Sequence, residues 1–348
     1  MEPFAWRQAV TPEDAAGYST STTARAMLTV AGMPDRQHVL IKAGGVDLLD
    51  LMKQGVAAPR CLVDISRIGE LEGVSQAADG SVRIGALTTL AELAGSPLIR
   101  QNYPALSQAA AGAASPQIRN RATLGGNLLQ RPRCWYFRSA SYHCTRKGGA
   151  HCFAFEGDNR YHAVFGNHGC AIVHPSTPAT PLVAYGGSVE MTDARGRRRQ
   201  IALEDFFLLP EADLHRENSL AAQEILTAVH LPAHVGGRHA SYLQVAEKAA
   251  FDWPLAAVAA VLDLDRTGRC RRANIILGAV APVPWRSAAA ETALGGSEIT
   301  PEAARAAARA AVAGAAPLSR NGYKLSLVDA LVRRAVLAAA GSDSAGPG

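Results

Sequence analysis

Four cysteines, Cys134, Cys144, Cys152 and Cys170, fall within 37 residues of a 348-residue chain, and the fold has to accommodate them together. The gaps between them are 9, 7 and 17 residues, far looser than the paired cysteines of zinc ribbons. Such spacing suits a long loop gathered around an ion or a cluster. Four thiolates are the complement of a [4Fe–4S] cluster and equally of a tetrahedral zinc; reduced, unliganded thiols or disulfides are the third reading. Eight of the chain's twenty aromatic residues lie in the surrounding segment, where they can shield a cluster from water. Arg131, Arg133, Arg138, Arg146, Lys147 and Arg160 outnumber the acids there and offset thiolate charge. His143, His151, His162 and His168 keep zinc open. Cys61 and Cys270 stand apart and read as buried structural thiols.

The second constraint is a pair of glycine turns about 80 residues apart, Ala43-Gly44-Gly45-Val46-Asp47 and Thr123-Leu124-Gly125-Gly126-Asn127. The first follows the apolar run His38-Val39-Leu40-Ile41 and precedes a helix-like LLDLMKQG. Strand, glycine turn and helix offer backbone N–H groups to an anion. Neither turn fits GxGxxG or GxxxxGK[ST], so a Rossmann or P-loop site is disfavoured. Either turn alone says little, but two suggest one split ligand site.

At this length two or three cored domains are expected. Residues 1–60 read as a small α/β unit, opened by a helix start at Thr11-Pro12-Glu13-Asp14. Residues 61–232 alternate short strands and helices and carry the cysteine-rich insertion at 131–170. In residues 233–341, Pro254–Leu264 and Arg272–Val280 read as paired strands, and two alanine-rich helices follow from Thr300 and Leu325. The tail 342–348 is expected to be disordered. A formal net charge of +5 is mild, and its densest run, Arg195-Gly196-Arg197-Arg198-Arg199, sits between strand-like segments as a solvated hairpin turn, so no nucleic-acid partner is expected. No apolar run is long enough to span a membrane. The N-terminus shows no secretory pattern, which points to the cytoplasm, with the periplasm reachable by co-export on a partner. GxSxG and HExxH are absent, and no hydrolytic apparatus is visible.

The chain resembles the FAD-binding medium subunit of the xanthine dehydrogenase and carbon monoxide dehydrogenase family over nearly its whole length. The resemblance rests on Ala43 to Leu48 (AGGVDL), on Arg119 to Asn127 (RNRATLGGN), on His174-Pro175-Ser176-Thr177, and on Gly278 to Arg286 (GAVAPVPWR). The cysteine segment is similar to an insertion found in a subset of these subunits, including periplasmic-type aldehyde oxidoreductases. There it holds an extra [4Fe–4S] cluster, and all four ligand positions are filled here.

The resemblance implies an α+β fold, with two subdomains of the PCMH type holding FAD and a C-terminal α+β domain of antiparallel sheet and helices. It implies FAD contacts from Leu40, Ile41, Lys42, Ala43, Gly44, Gly45, Val46, Asp47 and Leu48, with Thr123, Gly126 and Asn127 completing the site. Ala113, Thr177, Leu226 and Gln244 occupy further lining positions, and Cys134, Cys144, Cys152 and Cys170 are the cluster ligands. Val46, Thr177 and Gln244 depart from the hydroxyl, aspartate and lysine usual at those places. The short-spaced cysteines of a [2Fe–2S] domain are missing, and the chain is too short to add a molybdopterin domain. By resemblance, then, a molybdenum large subunit and a [2Fe–2S] small subunit are partners in a heterotrimer, single or doubled. Aldehydes or N-heterocycles are oxidised on the large subunit, and electrons reach a terminal acceptor through this chain. The alternative is a zinc-stabilised, non-catalytic assembly module that has lost FAD.

Overall fold

The computed structural model describes residues 2–30, 33–34, 37–248 and 251–341; the tail expected to be disordered lies outside the described residues. The first sheet is parallel, in the order Ala5–Gln8, Cys61–Asp64, Val39–Lys42. Its central strand is buried along its whole length, as a strand covered on both faces must be. The expected boundary after residue 60 falls directly before this strand, whose two partners both precede it in the chain. Thr11 caps the first helix, Pro12–Tyr18, by accepting from Asp14 N at 3.1 Å, as its sequence signals.

The second sheet is antiparallel, in the order Val74–Gln76, Val82–Gly85, Glu224–Leu231, Ser188–Asp193, Arg198–Ala202. The arginine run forms the exposed turn and outer strand of its last hairpin. Prolines 97 and 104 restart the chain into separate helices, Leu90–Gly95, Pro97–Asn102 and Pro104–Gly112, because proline suits a first turn and breaks an interior.

The C-terminal sheet runs Arg238–Val245, Ala256–Leu264, Cys270–Gly278, Trp285–Arg286, all antiparallel. Its second strand explains how the two halves stay together. Ala256, Val258, Ala260 and Leu262 pack on the C-terminal helices, while Ala257, Ala259 and Val261 pack into the core of the second sheet. Period-two alternation of small apolar residues thus serves two cores at once. The helix Pro301–Ala311 buries Ala304, Ala307, Ala308 and Ala311, the i, i+3, i+4, i+7 stripe of an amphipathic helix. Its Thr300 cap contributes about 1 kcal/mol. Lys324–Ala339 packs beside it. The helix Ala288–Leu294 and the strands Arg238–Val245 and Glu224–Leu231 were not visible in the sequence pattern. Glu224–Leu231 is buried on both faces along most of its length and shows no alternation.

Candidate flavin cleft and cysteine loop

The two glycine turns meet. A Cβ on Gly44 would lie 1.9 Å from the carbonyl oxygen of Arg121, so only glycine lets the first turn rest on the chain leading into the second. Gly45 adopts φ +81° and starts the helix Val46–Lys53, a left-handed step that glycine makes without strain. The second turn differs from its sequence reading. Leu124–Leu128 is a short helix rather than a loop, and Thr123 caps it by accepting from Gly126 N at 3.2 Å.

Between the turns lies a cleft of about 720 Å³, within the roughly 300–1,000 Å³ usual for small-molecule sites. Leu40, Ile41, Lys42, Ala43, Gly44, Gly45, Val46, Asp47 and Leu48 line one wall. Ala113, Thr123, Gly126, Asn127, Thr177 and Leu226 line the rest. Gln244 is outside it. Its strand packs on the helix Pro104–Gly112, so its amide donates to Gly112 O at 3.2 Å and accepts from the Tyr242 hydroxyl at 2.9 Å. It braces the backbone just before Ala113 and does not face the cleft.

Several lining side chains are already committed to the protein. Lys42 Nζ lies 3.1 Å from Asp64 Oδ1 in a buried ion pair, and the same ammonium sits over the Trp6 ring. Asn127 Oδ1 accepts from Ser176 Oγ at 2.6 Å, tying the second turn to the HPST stretch. In that stretch His174 accepts from Ser176 N, and burial pushes its pKa down to about 3, so it is a neutral ring. The ligand surface is therefore mostly backbone and apolar side chain. It suits a dinucleotide carrying a flat ring system, whose phosphates would be met by N–H groups at the glycine turn and helix start.

Lining residues that the sequence reading missed include Arg131, Glu217, Phe251 and Trp253. Phe251 takes φ +57° and is exposed; Trp253 stacks on the Arg133 guanidinium at 4.5 Å. No local motif marks them: Arg131 follows the helix Leu124–Leu128, Glu217 lies in the loop before Glu224–Leu231, and Phe251 and Trp253 come from the loop between the first two strands of the C-terminal sheet.

Asp47 does more than line the cleft. Its carboxylate accepts from Arg131 N at 2.8 Å and from Arg138 Nη2 at 2.6 Å, and pairs with Arg133 at 3.0 Å. The aspartate lines the cleft and at the same time anchors the start of the cysteine segment. Phe137 and Cys144 pack on Leu51 and Met52 of the helix that leaves the first glycine turn.

Farther along, all four cysteines carry free thiols. Burial pushes Cys134 up to about 12, with Cys170 and Cys144 adding to the rise, and burial likewise raises Cys144. Neighbouring Cys152 pulls Cys170 below the usual thiol range, against burial and with help from Arg146. His162 approaches Cys134 Sγ at 3.2 Å. Trp135, Tyr136, Tyr142, Phe153 and Tyr161 form a ring-on-ring shell around this loop. Among the described residues, no three His, Cys, Asp or Glu side chains converge on a single ion-sized point.

Comparison with known proteins settles what kind of chain this is. Residues 14–234 match the FAD binding domain in molybdopterin dehydrogenase, and residues 241–339 match the CO dehydrogenase flavoprotein C-terminal domain. The chain belongs to the family of FAD-binding medium subunits of molybdenum hydroxylases. It is 37% identical to the aldehyde oxidoreductase FAD-binding subunit PaoB of Escherichia coli (strain K12), covering 88% of this chain and 92% of that one. It is 30% identical to the carbon monoxide dehydrogenase medium chain of Hydrogenophaga pseudoflava, over 85% and 88% of the two chains. A solved carbon monoxide dehydrogenase from Hydrogenophaga pseudoflava, lacking the Mo-pyranopterin moiety of the cofactor, superposes with TM-score 0.71 at 27% identity, covering 98% of this chain and 99% of that one. The expected α+β medium-subunit fold is the fold observed, and the chain is a flavin-binding component of an oxidoreductase. Among the described residues no helix is long and apolar enough to cross a membrane.

Proposed function

We propose that this medium subunit carries FAD in the cleft and a [4Fe–4S] cluster on Cys134, Cys144, Cys152 and Cys170, and passes electrons from a [2Fe–2S] partner subunit to a terminal acceptor. The observation that carries the flavin half is the meeting of the two glycine turns over an open cleft, which a module that had lost FAD has no reason to keep. Bound FAD would supply the exchange between single electrons and electron pairs. The chain's own part is to hold it, orient it and set its electrostatic surroundings.

Three observations favour the cluster. The thiols influence one another across one loop, aromatic rings pack on one another within the same loop, and Arg146 contacts Cys170 at 3.4 Å. Four thiolates are the full complement of such a cluster, one for each iron. The proposed partners are a molybdenum-cofactor large subunit and a [2Fe–2S] small subunit, and the proposed substrates of the whole complex are aldehydes, in line with the PaoB resemblance, or N-heterocycles. Folding in the cytoplasm, with export only on a partner, completes the proposal.

Reduction separates this reading from a self-sufficient flavin enzyme. Flavin in the isolated chain should stay oxidised when an aromatic aldehyde is added anaerobically, and should bleach once the partner subunits are present. Bleaching in the isolated chain would contradict the proposal.

A further inference from the structure

Between the cysteine loop and the flavin cleft runs a chain of buried charge. Arg146 Nε donates to Cys170 Sγ at 3.4 Å. Its Nη1 donates to Glu217 Oε1 at 2.5 Å, and the other oxygen of Glu217 lies 3.1 Å from Arg131 Nε. Side-chain exposure is 1% for Arg146, 4% for Glu217 and 2% for Arg131. Glu217 and Arg131 both line the flavin cleft, and Arg131 N is held by Asp47 of the first glycine turn.

Charge counting shows why this chain is not ordinary packing. Two guanidinium groups share the carboxylate of Glu217 in a site shielded from water, with Asp47 a further electrostatic partner of Arg131, so each member of the set depends on the others for its neutralisation.

We propose that Arg146 and Glu217 are positioning residues that couple the two sites, so that a Cys170 sulfur held in place and FAD in the cleft stabilise each other. Whatever holds the Cys170 sulfur in place fixes Arg146, which fixes Glu217 and, through it, the Arg131 wall of the cleft. By linkage, bound FAD strengthens the hold on Cys170 by the same factor. The proposal rests on the flavin reading of the cleft and not on the identity of what the four thiols hold.

A double-mutant cycle on the flavin-free full-length chain tests it, with FAD affinity read by fluorescence quenching. Arg146→Met is the informative break, because it severs Glu217 from Cys170 while leaving a balanced Arg131–Glu217 pair. In the parent chain Cys170→Ser should weaken FAD binding roughly tenfold. In the Arg146→Met background the same change should cost less than about twofold. Arg146→Lys, which keeps the charge, should restore part of the non-additivity, an effect that simple loss of packing would not produce. Additive effects would overturn the coupling. No FAD binding by the parent chain would instead overturn the flavin reading, and iron analysis of the same samples reports separately on the cluster. Should Arg146→Met fail to fold by circular dichroism, Glu217→Asp takes its place in the cycle with the same expected outcomes.

Discussion

The flavin cleft is shaped by backbone, whereas the cysteine loop beside it is shaped by buried side-chain charge. In the cleft, Gly44 rests on the Arg121 carbonyl and Gly45 turns left-handed, and the walls come from regular strands and helices. In the loop, regular structure is limited to the short turns Trp135–Arg138 and Thr145–Lys147. Order comes instead from Arg138 on Asp47, Arg146 on Glu217, Asn159 and Asn321 on backbone carbonyls, and Lys324 on Tyr161 O and Ala279 O. A site made of backbone should be sensitive to an added Cβ and indifferent to pH. One made of buried charge should behave the opposite way.

The largest effect is expected at Gly44. Alanine there would push its Cβ into a backbone oxygen that cannot rotate away, and overpacking of this kind costs up to about 3 kcal/mol. Gly44→Ala should purify nearly free of flavin while its iron content is kept; retention of a full flavin complement would break the backbone account of the cleft. Asp47→Ala comes next, because it strips Arg138, Arg133 and Arg131 N of a partner at one stroke. Asp50 remains beside Arg133 and Arg138, so the expected loss is about 2 kcal/mol, below that of a fully orphaned buried pair. Faster proteolysis within residues 131–170, with flavin lost alongside, is the expected readout. Loss of flavin with an intact loop would assign Asp47 to the cleft alone.

A smaller effect sharpens the contrast through pH. Burial lowers the Lys324 pKa from 10.5 to about 7. Between those values the unfolded chain holds a proton that the folded chain has released, so stability should rise with pH across that window, by at most about 1.4 kcal/mol per pH unit. Lys324→Met should flatten that slope in chemical denaturation series; an unchanged slope would remove Lys324 as its source. The smallest effect is expected for Val46→Thr. Val46 is partly exposed at the start of the helix beyond the glycine turn, and a hydroxyl there adds one hydrogen bond to a phosphate, worth about 1 kcal/mol, or roughly fivefold in FAD affinity. Weaker binding would mean that the turn does not face phosphate.

Local signals in the sequence carried much of this. The Thr11 and Thr300 caps, the proline-punctuated helices between 90 and 112, the Arg195–Arg199 turn and the paired C-terminal strands are all where residue chemistry places them. The glycine pairs marked the cleft, although their individual tasks, one close approach and one left-handed turn, depend on a partner loop some 80 residues away. Glu217 and Trp253 were illegible because nothing near them in sequence announces a site, and Arg131, legible only as a charge beside the cysteines, becomes part of the cleft once distant loops converge. Gln244 was placed by resemblance, and its strand turns it toward Gly112 instead of the cleft. The doubly buried strands Glu224–Leu231 and Ala256–Leu264 show the same limit. Where both faces are covered, the alternation that marks a strand disappears, although proline and turn residues still flagged the second of them.

Anaerobic purification of the full-length chain, with flavin, iron and zinc counted per chain, tests the central claim most directly. About one FAD and four irons, with a yellow-brown spectrum, is the result predicted for a subunit that holds two redox groups side by side. Zinc without flavin in a colourless protein would contradict it and leave a silent assembly module in its place.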